Sequence, residues 1–265
     1  MGEFADARTL EAILDKFKVD KIGLCPGGSR EAKTTYIQPK IRENFLTTNP
    51  KILFFSNKFL RRKASGLMDR EFGNNLVHEL QRKLPKRVLQ YYLVNFFDPD
   101  FYTKLLKRYR EWHFQGLKLH QCIVPFKNDG KAFRLLSEFA AEKGLPIFIH
   151  VYSAREAKKL VQTALQYPET NYILAHFMGL EETIRIAPKI KNIYFDTSTY
   201  YIVSEKRIRK AIKFFGAEHV IMGSDSPFGI NNLERIIKKI RALKISSEEQ
   251  ATILGGAITQ LLKLT

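Results

Sequence analysis

The sequence predicts an α/β fold, a (β/α)8 TIM barrel with an incomplete or irregular first strand. Three observations carry this expectation. The chain has 265 residues, close to the roughly 250 of one such barrel. From residue 86 onward, short apolar, β-branched runs alternate with helical patterns of about 10 to 15 residues, which is the order of a parallel sheet. Nearly every apolar run ends in a titratable or hydroxyl residue, and the chemistry of a barrel gathers at the C-terminal ends of its strands.

The elements follow in chain order. Residues 6–18 read as a helix with Asp6 as its N-cap, followed by a strand at 21–25. Six further strands are expected at 88–94, 116–119, 147–151, 172–175, 193–195 and 220–222. Helices are expected between them at 99–112, 130–143, 154–166, 179–189 and 204–215. That makes seven strands, one short of closure, and the chain opens directly on a helix. Residues 26–70 break the pattern, with Pro26-Gly27-Gly28, a polar stretch, and an apolar run at 52–55 that suits strand or helix alike. They read as a long loop or insertion within a single domain spanning 1–265, and as a lid with Gly27-Gly28 as its hinge.

Bulk properties narrow the class. Hydrophobic residues make up 45% of the chain, enough for a sizeable core. No stretch approaches the roughly 20 apolar residues of a membrane span, and the first residues lack the pattern of a signal peptide. Cys25 and Cys122 are far apart with no CxxC spacing, so both are expected to be reduced and the protein cytoplasmic. The net charge is +17, which suits an anionic partner. The basic clusters, such as Arg61-Arg62-Lys63 and Lys206-Arg207-Ile208-Arg209-Lys210, are scattered over helical patterns. A solvated outer face accounts for most of them, so a nucleic-acid partner is not favoured. An oligomer stays open.

The strand ends carry the site residues. Lys118 and His120 follow Gly116-Leu117, His150 follows Ile147-Phe148-Ile149, and His176 follows Tyr172-Ile173-Leu174-Ala175. Asp196 follows Ile193-Tyr194-Phe195, and Asp225 follows Val220-Ile221-Met222 within GSDSPFG. Imidazole and carboxylate groups converging on one point suit a divalent metal such as zinc, and a bound metal lowers the pKa of its water towards 7. A histidine beside it carries protons. Lys118 either points into the mouth or pairs with a carboxylate, and Asp196 orients a neighbour or holds a loop. His78, His113 and His219 fall in helical or loop contexts and receive no role.

The segments GLKLHQ (116–121), PIFIHVYS (146–153), NYILAHFMG (171–179), NIYFDTS (192–198), VIMGSDSPFG (220–229) and ATILGGAITQLLKL (251–264) resemble the amidohydrolase-related metal-dependent hydrolases. The branch is the one that includes aminocarboxymuconate semialdehyde decarboxylase. VDKIGLCP (19–26) resembles that family's second strand. The resemblance implies a TIM barrel in which His150, His176 and Asp225 hold a metal, with His176 and Asp225 also catalytic. It places Lys118 and His120 where the wider superfamily has a ligand or a substrate contact, and basic groups around the mouth, Lys118 and Arg155, favour a small, acidic substrate. The family opens with a strand ending in His-x-His, whereas this sequence has no histidine before His78. Without that pair, metal is expected to be held weakly. Where the family has Asn after its paired glycines, Ala257 stands here.

The expected function is a metal-dependent hydrolase, or a non-oxidative decarboxylase, using metal-activated water with a histidine proton carrier. Two alternatives stand beside it. One is a TatD-type deoxyribonuclease, suggested by SAREA at 153–157 and the basic charge, although that family has glutamate where Lys118 stands. The other is a degenerate barrel that only binds.

Overall fold

A computed structural model describes residues 2–27, 42–64, 70–226 and 231–264. Its centre is a parallel sheet of seven strands: β1 (Ile22–Leu24), β2 (Val88–Leu93), β3 (Gly116–His120), β4 (Ile147–His150), β5 (Tyr172–Leu174), β6 (Ile193–Asp196) and β7 (Val220–Ile221). Spatial order equals chain order, so each strand pairs with the next one along the chain. Each strand lies within a residue or two of its expected place. The connecting helices are α5 (Phe101–Trp112), α6 (Lys131–Lys143), α7 (Ala154–Gln166), α8 (Leu180–Ile186) and α9 (Glu205–Phe215). After a 3-10 turn at Gly2–Ala5 comes α1 (Ala7–Phe17), capped by Asp6, whose carboxylate accepts from the Thr9 amide at 2.9 Å.

Alternation along the strands sorts the side chains into two layers. Leu117, Leu119, Ile147, Ile149, Tyr172, Leu174, Ile193, Phe195 and Val220 face the helices and form the main core. The opposite face carries Phe148, Ile173, Tyr194 and Ile221, then Lys118, His150 and Asp196 nearer the strand ends. Tyr91 lies across this inner face. A Cβ added at Gly116 would come within 2.4 Å of the Tyr91 ring, so only glycine admits it. The sheet is curled: Cys25, just after β1, feels the charges of Lys118 on β3, Asp196 at the end of β6 and Asp225 beyond β7.

The expected eight-stranded closure is not what the described residues form. They supply seven strands, with no pairing of β7 to β1 among them. β7 is two residues long, and beyond it the Met222 amide turns to the carbonyl of Ile253 at 3.0 Å. The chain after β7 runs through α10 (Asn232–Arg241), α11 (Ser247–Ala251), a π-helical turn at Thr252–Gly256, and α12 (Ala257–Leu261). Ala257, Ile258 and Leu261 pack onto the inner apolar layer of Phe148, Ile173, Tyr194 and Ile221. α12 thus covers inner surface that a closed barrel would fill with strand side chains. Ala257 is buried there, a place that suits its small apolar side chain.

Residues 26–70 hold helices. α2 (Phe45–Thr48) and α3 (Pro50–Ala64) precede α4 (Arg70–Lys83), and the run at 52–55 is helical. The expected hinge Gly27-Gly28 lies partly outside the described residues. α3 sits on the mouth. Asn57 is buried and donates from Nδ2 to the carbonyls of Val151 (3.0 Å) and Tyr152 (2.9 Å). Arg61 donates to the carbonyl of Gln121 at 2.8 Å and stacks 3.6 Å above the Tyr152 ring. No helix is long and apolar enough to cross a membrane among the described residues.

Candidate functional site

Parallel register builds the first half of the site. β3 and β4 pair Leu117 with Ile147 and continue to pair His120 with His150. The two imidazoles consequently stack, with centroids 4.1 Å apart and planes 9° from parallel. His176, beyond β5, meets His150 edge-on at 5.1 Å. Three rings from three neighbouring strand ends therefore share one space. Lys118, one inward position below His120, lays its ammonium 3.8 Å from the centre of the Phe148 ring.

The hydrogen bonds fix which nitrogen of each ring is available. A carbonyl only accepts, so His176 Nδ1, 2.5 Å from the carbonyl oxygen of Ser198, carries the proton there. In the neutral ring, Nε2 is then the lone-pair atom. Asn57 has its Nδ2 committed to two carbonyls, so its Oδ1 accepts from His150 Nε2 at 3.1 Å. That leaves Nδ1 as the lone-pair atom of neutral His150. His120 Nδ1 is shielded from solvent and has no hydrogen-bond partner. Loss of solvation holds both His120 and His150 well below the usual histidine range, with the Lys118 charge and the neighbouring rings adding to it.

Cys122 lies beside this pair. One ligand atom each from His120, Cys122 and His150 fall within 4.8 Å of one another. Burial pushes the Cys122 thiol up to about 12, against the pull of Arg61. Neither Cys25 nor Cys122 is in a disulfide.

The carboxylates stand on the other side. Asp196 is buried, and desolvation raises its pKa; the His176 charge opposes this and Asp225 reinforces it. Its Oδ1 accepts from the Ser198 amide at 3.1 Å. Gly223 makes room for it: a Cβ there would sit 1.7 Å from Asp196 Oδ2 and 2.5 Å from Ser198 Oγ. Asp225 accepts from Thr199 Oγ1 at 3.2 Å. His176, Phe177 and Asp225 all hold the left-handed backbone region, at φ 57°, 56° and 56°. For residues with a Cβ this conformation costs about 1 kcal/mol or more each, and such strain gathers where side chains must be aimed.

Arg207 secures the strained turn. It belongs to a basic cluster expected on an outer face, yet it is buried and donates to the carbonyl of Phe177 at 2.7 Å and to Glu181 at 3.0 Å. Its fork matches a carbonyl and a carboxylate at once.

Of the residues expected from the sequence, His120, His150, His176 and Lys118 lie together on the inner mouth. Asp225 is within electrostatic reach of Asp196. Arg155 is exposed on the first turn of α7, at the edge of that end of the barrel. Asn57, Arg61 and Cys122 were not expected there. Cys122 was findable: aligning the apolar runs of β3 and β4 places His120 against His150, with Cys122 two residues on. Of the remaining histidines, His78 stacks on Trp112 at 4.4 Å and His219 binds the Ile193 carbonyl at 2.8 Å. His113 ends α5 in a left-handed cap.

A curled parallel α/β sheet with imidazoles and carboxylates at its strand ends defines a TIM-barrel-like architecture. The chain belongs to the amidohydrolase family, whose profile matches residues 63–264. Solved structures share the fold. 2,6-Dihydroxybenzoate decarboxylase from Rhizobium aligns with a TM-score of 0.68 at 18% identity, over 97% of this chain and 88% of that one. A dihydroxybenzoic acid decarboxylase from Polaromonas sp. JS666, with bound manganese and 2-nitroresorcinol, gives 0.66 at 18%, over 96% and 85%. 5-Carboxyvanillate decarboxylase from Sphingomonas paucimobilis gives 0.63 at 17%, over 96% and 82%. No curated protein matches the sequence.

Proposed function

We propose that the protein is a metal-dependent non-oxidative decarboxylase, or a hydrolase, of a small carboxylic acid. The observation that carries this reading is the cluster of His120, His150 and His176 beside Lys118 at adjoining strand ends, with His120 Nδ1 buried and unpartnered. A buried nitrogen without a partner is costly, and a metal ion would satisfy it. The donor set fits one. His120, His150 and Cys122 offer two neutral imidazoles and a thiol, a combination that suits zinc better than a hard, oxygen-seeking ion. The family resemblance adds Asp225 to His150 as a ligand; His176, whose one free nitrogen is Nε2, takes the acid/base role that the resemblance also allows it. When bound, the ion would polarise a carboxylate or carbonyl oxygen of the substrate.

The chain's own residues supply the rest. Lys118 and Arg61 place positive charge at the mouth and favour an anionic substrate. His176, with Nδ1 held by Ser198, presents Nε2 as the atom that gives or takes a proton. In decarboxylation, the C–C bond to the carboxylate breaks, carbon dioxide leaves, and the carbon left with the electron pair takes the Nε2 proton of a doubly protonated His176 ring, which is left neutral with its remaining proton on Nδ1. Asp196 stands within electrostatic reach of the ring. The solved relatives named as decarboxylases of dihydroxybenzoate and carboxyvanillate support aromatic acids as the first substrates to test.

The test is elemental analysis of the purified chain after zinc loading, with carbon dioxide release measured over a panel of hydroxylated benzoates, alongside esters and amides. Zinc near one equivalent and turnover of an acid are expected, with His176→Ala lowering kcat/KM about 10²- to 10⁴-fold while leaving zinc content above half. No metal above trace together with no turnover would leave a barrel that only binds.

A further inference from the structure

Residues 44–64 contain five basic side chains, Lys51, Lys58, Arg61, Arg62 and Lys63, and no Asp or Glu. The same stretch concentrates exposed apolar surface. Phe45, Leu46, Phe55, Phe59 and Leu60 are 40 to 74% exposed, and only Phe97, Leu165 and Phe214 are comparable elsewhere among the described residues. Single exposed apolar residues need no explanation, but a cluster of five on two consecutive helices does.

The arrangement is directional. Lys51, Phe55, Lys58, Phe59 and Arg62 are all exposed and recur at spacings of three and four, so they form one stripe along α3. Phe55 and Phe59 meet edge-on at 5.4 Å, and the Lys58 ammonium lies 5.4 Å from the Phe55 ring. The opposite side of α3 is committed to the barrel through Leu53, Phe54, Asn57 and Arg61. The outward stripe is therefore left over after the mouth is covered.

Charge decides the occupant. Two copies joined symmetrically through this face would press like charges together, which disfavours self-association. Nucleic acid would use the rings as stacking platforms, but Leu46 and Leu60 offer no stacking surface. Phe and Leu side chains interleaved with cations whose stems can lie along apolar surface suit the interface of an anionic bilayer. We propose that α2 and α3 dock this protein on anionic lipid surfaces, with Phe45, Leu46, Phe55, Phe59 and Leu60 entering the interface and Lys51, Lys58 and Arg62 meeting the headgroups. The attachment is peripheral, since α3 has 15 residues and none of the described helices can span. This inference does not depend on the reaction proposed above.

The test uses the full chain in co-sedimentation with vesicles of phosphatidylcholine alone and of phosphatidylcholine mixed with phosphatidylglycerol. Binding to the mixed vesicles only is expected, with release as salt is raised. Phe55→Ser/Phe59→Ser and, separately, Lys58→Glu/Arg62→Glu should each weaken partition about tenfold or more, with the melting temperature unchanged. If one variant is destabilised, the other decides. Absence of binding to the anionic vesicles, or equal binding by wild type and the folded variants, overturns the proposal. So does a dimer in size-exclusion chromatography that the phenylalanine variant dissociates, or displacement of the vesicles by a single-stranded oligonucleotide at matched ionic strength.

Discussion

Gly223 shows how a residue without chemistry of its own shapes the mouth. It follows β7, and its missing side chain is the space that Asp196 Oδ2 and Ser198 Oγ occupy. Neither neighbour can retreat freely: Asp196 holds the Ser198 amide, and Ser198 supplies the carbonyl that fixes the His176 ring. Gly223→Ala should therefore push Asp196 out of its buried place and turn His176. A cost of about 1–3 kcal/mol is expected, the usual range for forcing a methyl into packed surroundings. Chemical denaturation measures it, and an unchanged midpoint would show that the pocket relaxes around the methyl. At the same scale, Arg207 explains why a basic residue in the middle of a charged run is not solvent-facing. The carbonyl of Phe177, turned inward by the left-handed pair at His176 and Phe177, needs a donor, and Arg207 supplies it.

Helix α3 is held on the mouth by few contacts, and Asn57 makes three of them. Asn57→Ala leaves the His150 N–H and two carbonyls without their partner, a local loss of about 1–3 kcal/mol for each group that water cannot reach. Hydrogen exchange should rise at least tenfold across residues 50–64 while the β3–β5 amides keep their protection, because the sheet core does not depend on α3. Uniform change across the chain would mean that α3 and the sheet open as one unit. These contacts also mark the limit of what the sequence made legible. The strands were readable because buried parallel strands are continuous apolar runs, and the helices between them because their apolar positions repeat on one face. Asp6 was readable as a cap because capping is local. Asn57 and Arg61 reach partners 60 to 95 residues away through backbone carbonyls, which leave no mark in a residue pattern. The seventh strand's neighbour was equally hidden. A two-residue β7 gives way to helical backbone at Ile253, and nothing in the run Thr252–Gly256 announces that role.

For the molecule as a whole, the histidines set how stability responds to acid. His78, His120 and His150 all have folded pKa values below 6.5, with desolvation the leading cause in each. Between those lowered values and 6.5 the unfolded chain binds protons that the native chain refuses. Stability therefore rises with pH through this window and falls as pH drops below about 6.5. Asp196 and Glu182 act in the opposite sense. Desolvation raises their folded values above 3.8 and 4.5, so between those figures and the raised values the native chain holds the extra proton. Their effect offsets part of the loss. Urea midpoints in the presence of a chelator, which keeps metal out of the comparison, should therefore decline steadily from pH 7.5 to 5. His78 is partly exposed, so solvent screening shrinks its share, and His120 and His150 must supply most of the slope. His150→Gln removes one titrating ring while keeping a polar side chain near Asn57. The variant should start from a lower midpoint at pH 7.5 and lose less on acidification than the wild type. Parallel declines for the two proteins would place the acid sensitivity elsewhere and would mean that His150 is solvated, or already protonated, in the native chain.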